Sequence, residues 1–257
     1  MSPPATTVPG DETTTATATT ALPAATTTST TPVVSENGVV IRSAVQDLSR
    51  QVPQYRALVS FPVVESDQIE EALVSQVNTL VETHVSERVE PVIELLEALG
   101  PPRGSDEPSS YEFTYEVVYA DTSLMSFRFF EESLFTGASE RSKSISTLMI
   151  DVTAGVELRL DDLTISGEGR QAVAALAADL VVAELYQGSD EQYAPFASGT
   201  EPEAIEWVLV TEAGLAVSFD ELSVGPAELG TPTVTIPYAQ LEGVLDPEGA
   251  AARFMQP

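Results

Sequence analysis

The spacing of apolar residues changes period several times along this chain. From Gly38 to Phe61, two apolar runs, Val39 to Val45 and Tyr55 to Phe61, read as short strands punctuated by Pro53 and Pro62. Ile69, Leu73, Val77, Leu80, Val81, Val85, Val89, Ile93 and Leu96 then recur at helical spacing, which predicts one long amphipathic helix. Ser66 suits its N-cap, and Asp67, Glu70 and Glu71 suit its positive end. Pro91 should kink or restart it, and Gly100-Pro101-Pro102 should stop it.

Beyond a charged loop, Arg103 to Ser109, the residues Tyr111, Phe113, Tyr115, Val117 and Tyr119 alternate with polar ones, as in a half-buried strand. Leu124 to Phe135 and Ser144 to Val152 add two strands across a loop from Thr136 to Lys143, giving an antiparallel meander. Val173, Leu176, Ala177, Leu180, Val181 and Leu185 mark a second, medium amphipathic helix between Gly169 and Gly188, expected to cover one face of the sheet. Strands near Ile205 to Thr211, Leu215 to Phe219 and Thr233 to Ile236 follow, then a short helix through Tyr238, Leu241, Val244 and Leu245. The class is α+β: antiparallel sheet packed by one long and one medium helix.

Composition separates the start of the chain from the rest. Residues 1 to 32 hold 13 Thr, 6 Ala and 5 Pro, too little apolar surface to offset chain entropy, so residues 1–35 read as a disordered stalk. Of the formal charge of −29, Asp11 and Glu12 supply −2, which leaves −27 on the other 225 residues. That field repels nucleic acid and anionic lipid and steers cationic proteins inward; an acidic surface also suits a saline habitat.

The chain has no Cys, which removes thiol catalysis, Cys-ligated zinc and disulfides and leaves the redox compartment open. No apolar run reaches membrane-spanning length, and the residues after Met1 do not resemble a signal peptide. A charge-poor Thr/Pro stalk is typical of segments that space a domain from an envelope. An export signal or lipid anchor is therefore expected upstream of Met1, with the protein secreted or anchored and touching membrane only through that anchor.

Little in the sequence points to catalysis. His84 is the single His, and its place four residues after Leu80 puts it beside the helix's apolar face, as a hydrogen-bonded structural residue. There is no Gly-x-Ser-x-Gly elbow. Among 40 acidic residues, pairs such as Glu131, Glu132, Asp151 and Asp220 arise by chance, and Asp106, Glu107, Asp161 and Asp162 lack calcium-loop spacing. No cofactor, metal site or catalytic residue is expected. Arg141 and Lys143 form the one close basic pair, suited to an anionic ligand or to pairing with Glu131, Glu132 or Glu140 across the hairpin.

Three stretches, SLMSFRFFEESLFTGASE, MIDVTAGVELRLDDL and VTEAGLAVSFDELSVGPAELGTPTVTIPYAQL, occur in order. They resemble the RsiV-like C-terminal domain of unknown function, known from anti-sigma factors and mycobacterial secreted antigens. QYRALVSFPVVES before the long helix resembles the PdaC-like module that often precedes it. The resemblance implies PdaC-like strands and helix over 36–110 and an RsiV-like domain over 111–257, together one compact unit. It also implies binding at the cell surface, with lysozyme, a basic protein, as one branch's ligand; the deacetylase activity of PdaC-type proteins belongs to a catalytic domain that this sequence lacks. Where the family commonly has Gly-Gly-Ala-His, this chain has Thr136-Gly137-Ala138-Ser139. Thr136, Gly137, Ala138, Ser139, Arg141 and Lys143 are therefore the candidate ligand-binding residues.

The expected function is a non-catalytic envelope domain that binds or senses a cationic protein such as lysozyme, or a cell-wall glycan. The alternatives are a weak esterase or glycan hydrolase, and a secreted antigen or spacer with no specific ligand. A cleft holding a shifted carboxylate pair, or a His beside a Ser, would favour an enzyme; a flat acidic face would favour binding.

Overall fold

The computed structural model describes residues 34–99, 107–165 and 167–255. The chain enters through β1 (Val34–Glu36), which pairs antiparallel with β2 (Val39–Asp47). The turn between them is Asn37-Gly38, with φ of 50° and 79°, the left-handed pair that suits the twist of a two-residue hairpin. Val34 and Ser35 therefore belong to a strand and not to the expected stalk, and the remainder of that stalk lies outside the described residues.

A short β3 (Arg50–Gln51) and a long β4 (Gln54–Glu65) follow. β4 runs through Pro62, four residues past the expected end at Phe61; its pairing with the next strand in the sheet covers only Tyr55 to Val59, so Pro62 removes no bond on that side. α1 (Glu71–Leu99) buries Val77, Val81, Val85 and Val89, one residue per turn, against the sheet. Ser66 serves the turn before α1, where its hydroxyl donates to Gly38 O (2.6 Å) and accepts from Ile69 N–H (3.2 Å). The helix continues across Pro91, which is exposed, with no restart.

β5 (Ser109–Ala120), β6 (Leu124–Leu134) and β7 (Ser142–Asp151) form the expected antiparallel meander, and β8 (Val156–Leu158) pairs with the end of β7. The eight strands make one sheet, with main order β1-β2-β4-β5-β6-β7-β8 and β3 on β4. It is antiparallel except for β4 and β5, which run parallel because α1 carries the chain back across one face. Phe113, Phe127 and Phe129 fill the core between that face and α1.

A short α2 (Leu160–Leu163) leads to α3 (Gly169–Leu185). β9 (Trp207–Val210), β10 (Gly214–Ser218) and β11 (Thr233–Pro237) form a second, antiparallel sheet in the order β11-β10-β9. Val173, Ala177 and Val181 of α3 share a second core with Leu215, Val217 and Ile236 of this sheet, while Leu124 and Met149 join from the opposite face of the large sheet. The second helix thus packs on the small sheet and not on the meander. The expected last helix is a single tight turn, Tyr238–Gln240, followed by a bridge from Leu245 to Thr164.

Candidate functional site

The outer edge of β7 is where the two sheets meet. β8 pairs with β7 only from Met149 onward, so among the described residues no strand is hydrogen-bonded to the earlier part of that edge. Side chains cover some of it: Ile145 N–H donates to Asp220 Oδ1 (2.9 Å), and Lys143 N–H donates to Glu221 Oε2 (3.2 Å). Asp220 Oδ2 also accepts from Trp207 Nε1 (3.1 Å), which ties β9 to the edge.

Between Asp220 and β8 the edge opens into a cleft of about 410 Å³. Its walls come from distant parts of the chain: His84, Glu87 and Arg88 from α1, Thr147 and Met149 from β7, Glu157 to Leu160 around β8, Arg170 from α3, Glu203 and Glu206 from the approach to β9, and Trp207 and Val208 from β9 itself. The Arg88 guanidinium lies 4.6 Å over the Trp207 ring. Arg170 is spent on structure, bonding Asp161 and Ile205 O, and Arg159 pairs with Glu157. Among the described residues Arg88 has no carboxylate within ion-pair distance, and neither Glu87, Glu203 nor Glu206 has a cationic partner. Three of the chain's eleven basic side chains thus line one cleft of a strongly acidic protein.

His84 does sit beside a serine. Its Nε2 is 3.1 Å from Ser146 Oγ, and its ring lies 4.8 Å from that of Phe129. Burial first, and then the charge of Arg88, pushes its pKa down to about 4, so the ring is neutral at physiological pH. Ser146 is 0% exposed, so no substrate carbonyl can reach its hydroxyl. The pair has the contact of a nucleophile and base without the access.

Most of the other carboxylates have partners, but Glu131 keeps its Oε1 buried with no hydrogen-bond partner among the described residues, beside Glu132 in a separate hollow. Burial raises the pKa of Glu131, and Tyr111 donates to its Oε2 (3.2 Å). Asp220 has both oxygens bonded as described, Glu132 pairs with Arg141 (3.0 Å), and Asp151 Oδ1 accepts from Thr153 and Ala154 N–H in a turn. Asp161 pairs with Arg170, Asp162 accepts from Arg159 N–H, and Asp106 lies outside the described residues. Among the described residues no three acidic or His side chains gather as a metal site.

The hairpin loop picked out from the sequence lies apart from this cleft. Thr136 is held by Ser109, whose Oγ is 2.9 Å from both its N–H and its hydroxyl. Gly137 has φ of 86° and Ala138 N–H closes the turn on Phe135 O, while Ser139 is exposed. Arg141 makes the cross-hairpin pair, and Lys143 borders a shallow hollow of about 260 Å³ with Glu112, Thr114 and Thr231. The loop's six residues therefore form a turn and its flanks, with Lys143 at the edge of that hollow. The cleft residues Arg88, Thr147 and Trp207 escaped the sequence reading. Two signals pointed there: Arg88 is one turn after His84, and Trp207 is the sole Trp.

No protein-family model matches this sequence, and no curated protein does. Among solved structures, a DUF3298 family member from Bacteroides fragilis is similar, with 15% identity, a TM-score of 0.63 and coverage of 86% of this chain and 99% of that one. A DUF3298 family protein from Pseudomonas aeruginosa is 16% identical, with a TM-score of 0.57 over 80% of this chain and 94% of its own. DUF3298 is a domain family of uncharacterised function, and at these identities the likeness is one of fold.

Proposed function

We propose that this chain is a non-catalytic binding domain of the bacterial cell envelope, secreted or anchored outside the membrane, with the edge cleft as its recognition site. One observation carries the reading: the cleft gathers unpaired charged groups and an aromatic ring, while its one nucleophile-like pair ends on a sealed serine. Such a surface can hold a polar ligand, and the serine beside His84 is closed off from it. The RsiV-like and PdaC-like segments favour an envelope glycan or an envelope-active protein as the ligand. A cationic protein such as lysozyme is the second reading, favoured by the charge of −29.

The test measures retention of the full chain by insoluble peptidoglycan and its association with lysozyme, alongside a control protein matched to lysozyme in charge. Each is measured at about 0.01 M and 0.1 M salt, across which the screening length falls from roughly 30 to 10 Å. Saturable retention on peptidoglycan that survives the higher salt supports glycan binding. Lysozyme binding well above that of the control supports the second reading. Equal binding of lysozyme and control with no retention on peptidoglycan, or turnover of ester or glycan substrates that His84→Ala abolishes in a folded protein, would overturn the proposal.

A further inference from the structure

Resting on that binding reading, we infer that the edge cleft is a subsite for an N-acetylated amino sugar, whose acetamido carbonyl accepts from Thr147 N–H on β7 while its ring lies against Trp207.

The backbone argument starts from Ile145, whose N–H points out of the sheet's edge toward Asp220. Main-chain groups of a strand alternate sides residue by residue, so Thr147, two residues on, presents its N–H and C=O in the same outward direction. Asp220 covers the edge at Ile145, and β8 resumes pairing at Met149, opposite Leu158. Thr147 is left as the single outward-facing position between them, and it lines the cleft. The outward N–H can donate to an acetamido carbonyl; the N–H of a trans amide points the opposite way, so Thr147 O is left to accept from a sugar hydroxyl. A gap of one residue is too short for a peptide strand and long enough for one acetamido group.

The rest of the cleft fits the sugar ring. Trp207 offers an apolar ring face or edge, held in place by its bond to Asp220. Glu87 and Glu206 can accept from hydroxyls, and Arg88, with no carboxylate within ion-pair distance among the described residues, can donate to ring or glycosidic oxygens. The volume of about 410 Å³ is at the small end of ligand pockets and suits a sugar ring with its substituent. A phosphate or a nucleotide would meet the carboxylate rim and be repelled.

Trp207 is the only Trp in the chain, so intrinsic tryptophan fluorescence reports on this cleft alone. Titration with chitotriose should shift or quench that emission saturably. Cellotriose, which has the same linkage and no acetamido groups, should bind at least tenfold more weakly. Thr147→Pro deletes the outward N–H and leaves the bonds to β6 in place, as Pro does on strand edges, and should abolish the response while the far-ultraviolet circular dichroism is kept. Equal responses to the two sugars, or an undiminished response in folded Thr147→Pro, would overturn the inference, and the comparison of sugars needs no variant. Calorimetry with soluble peptidoglycan fragments separates this outcome from failure of the broader reading. Heat of binding without any change at Trp207 overturns the subsite and leaves a binding domain. Absence of heat together with absence of retention on the insoluble polymer removes both the subsite and the glycan reading, and leaves the binding domain only if lysozyme binds above its control.

Discussion

Asp220→Ala should be among the most damaging single changes at the meeting of the two sheets. The side chain holds Ile145 N–H at 2.9 Å and Trp207 Nε1 at 3.1 Å, one partner on each sheet. A hydrogen bond to a charged group contributes about 1.5–3 kcal/mol, and removal of one partner leaves a half-buried donor without a replacement. Water can reach part of this edge, so the low end of that range applies to each bond and the expected loss is about 3 kcal/mol. Asp220→Asn separates the two bonds, because its oxygen can serve one donor while its NH₂ group confronts the other; about half of the loss should return. Glu221→Ala, which removes one longer and more exposed bond to Lys143 N–H (3.2 Å), should cost under about 1 kcal/mol. Urea unfolding followed by Trp207 emission measures all three, with an unchanged slope against denaturant as the check that the native state is intact. A loss below about 1 kcal/mol for Asp220→Ala, or full recovery in Asp220→Asn, would refute the role of this carboxylate as an edge cover.

The pH dependence of stability should carry a signature of His84. Its folded pKa, about 4, lies below the ordinary value of 6.5, so the unfolded chain binds the extra proton and stability falls as pH drops from about 6.5 toward 4. His84→Gln should flatten unfolding free energy against pH in that window, and an unchanged slope would contradict the buried, neutral ring. Phe129→Ala opens a void between Phe113 and the His84 ring and should cost about 3–5 kcal/mol by chemical denaturation. Gly38→Ala should lower stability by about 1–2 kcal/mol, because φ is 79° there and the added carbon would sit 2.3 Å from the Gln68 side chain; a neutral result would mean the hairpin turn relaxes freely.

Elements whose burial is one-sided were legible in the sequence. α1 announces itself because Val77, Val81, Val85 and Val89 repeat at helical spacing over many turns, and β5 does so because Tyr111 and Phe113 alternate with polar residues. Elements set by their neighbours were harder to place. The direction of β5 relative to β4 depends on the path of α1, and period alone does not encode it. α3 is apolar around much of its circumference, so its pattern could not say which sheet it would meet. β1 is three residues long, and only the Asn37-Gly38 turn betrays it. The cleft draws on α1, β7, the β8 region, α3 and β9, segments up to more than a hundred residues apart, so no local motif marks it. The hairpin loop drew attention because it departs from a family pattern, and a departure from a pattern carries no information about concavity.

The parallel pairing of β4 with β5 governs the order in which this protein can be made. When the ribosome has delivered everything up to Leu99, β2, β4 and α1 exist without the strands that complete their core. β4 then has an unfilled hydrogen-bonding edge from Tyr55 to Val59, and Val81 and Val85 face water. Both persist until Phe113, and then Phe127 and Phe129, emerge some tens of residues later. At about 5–20 residues per second the wait is a matter of seconds, long compared with the microseconds in which a hairpin closes, so the open edge stands for a time that concentration-dependent encounters between chains can use. A nascent chain paused at this length is the form most exposed to pairing with another copy of itself. Holding the chain unfolded until its whole length is available would close that window.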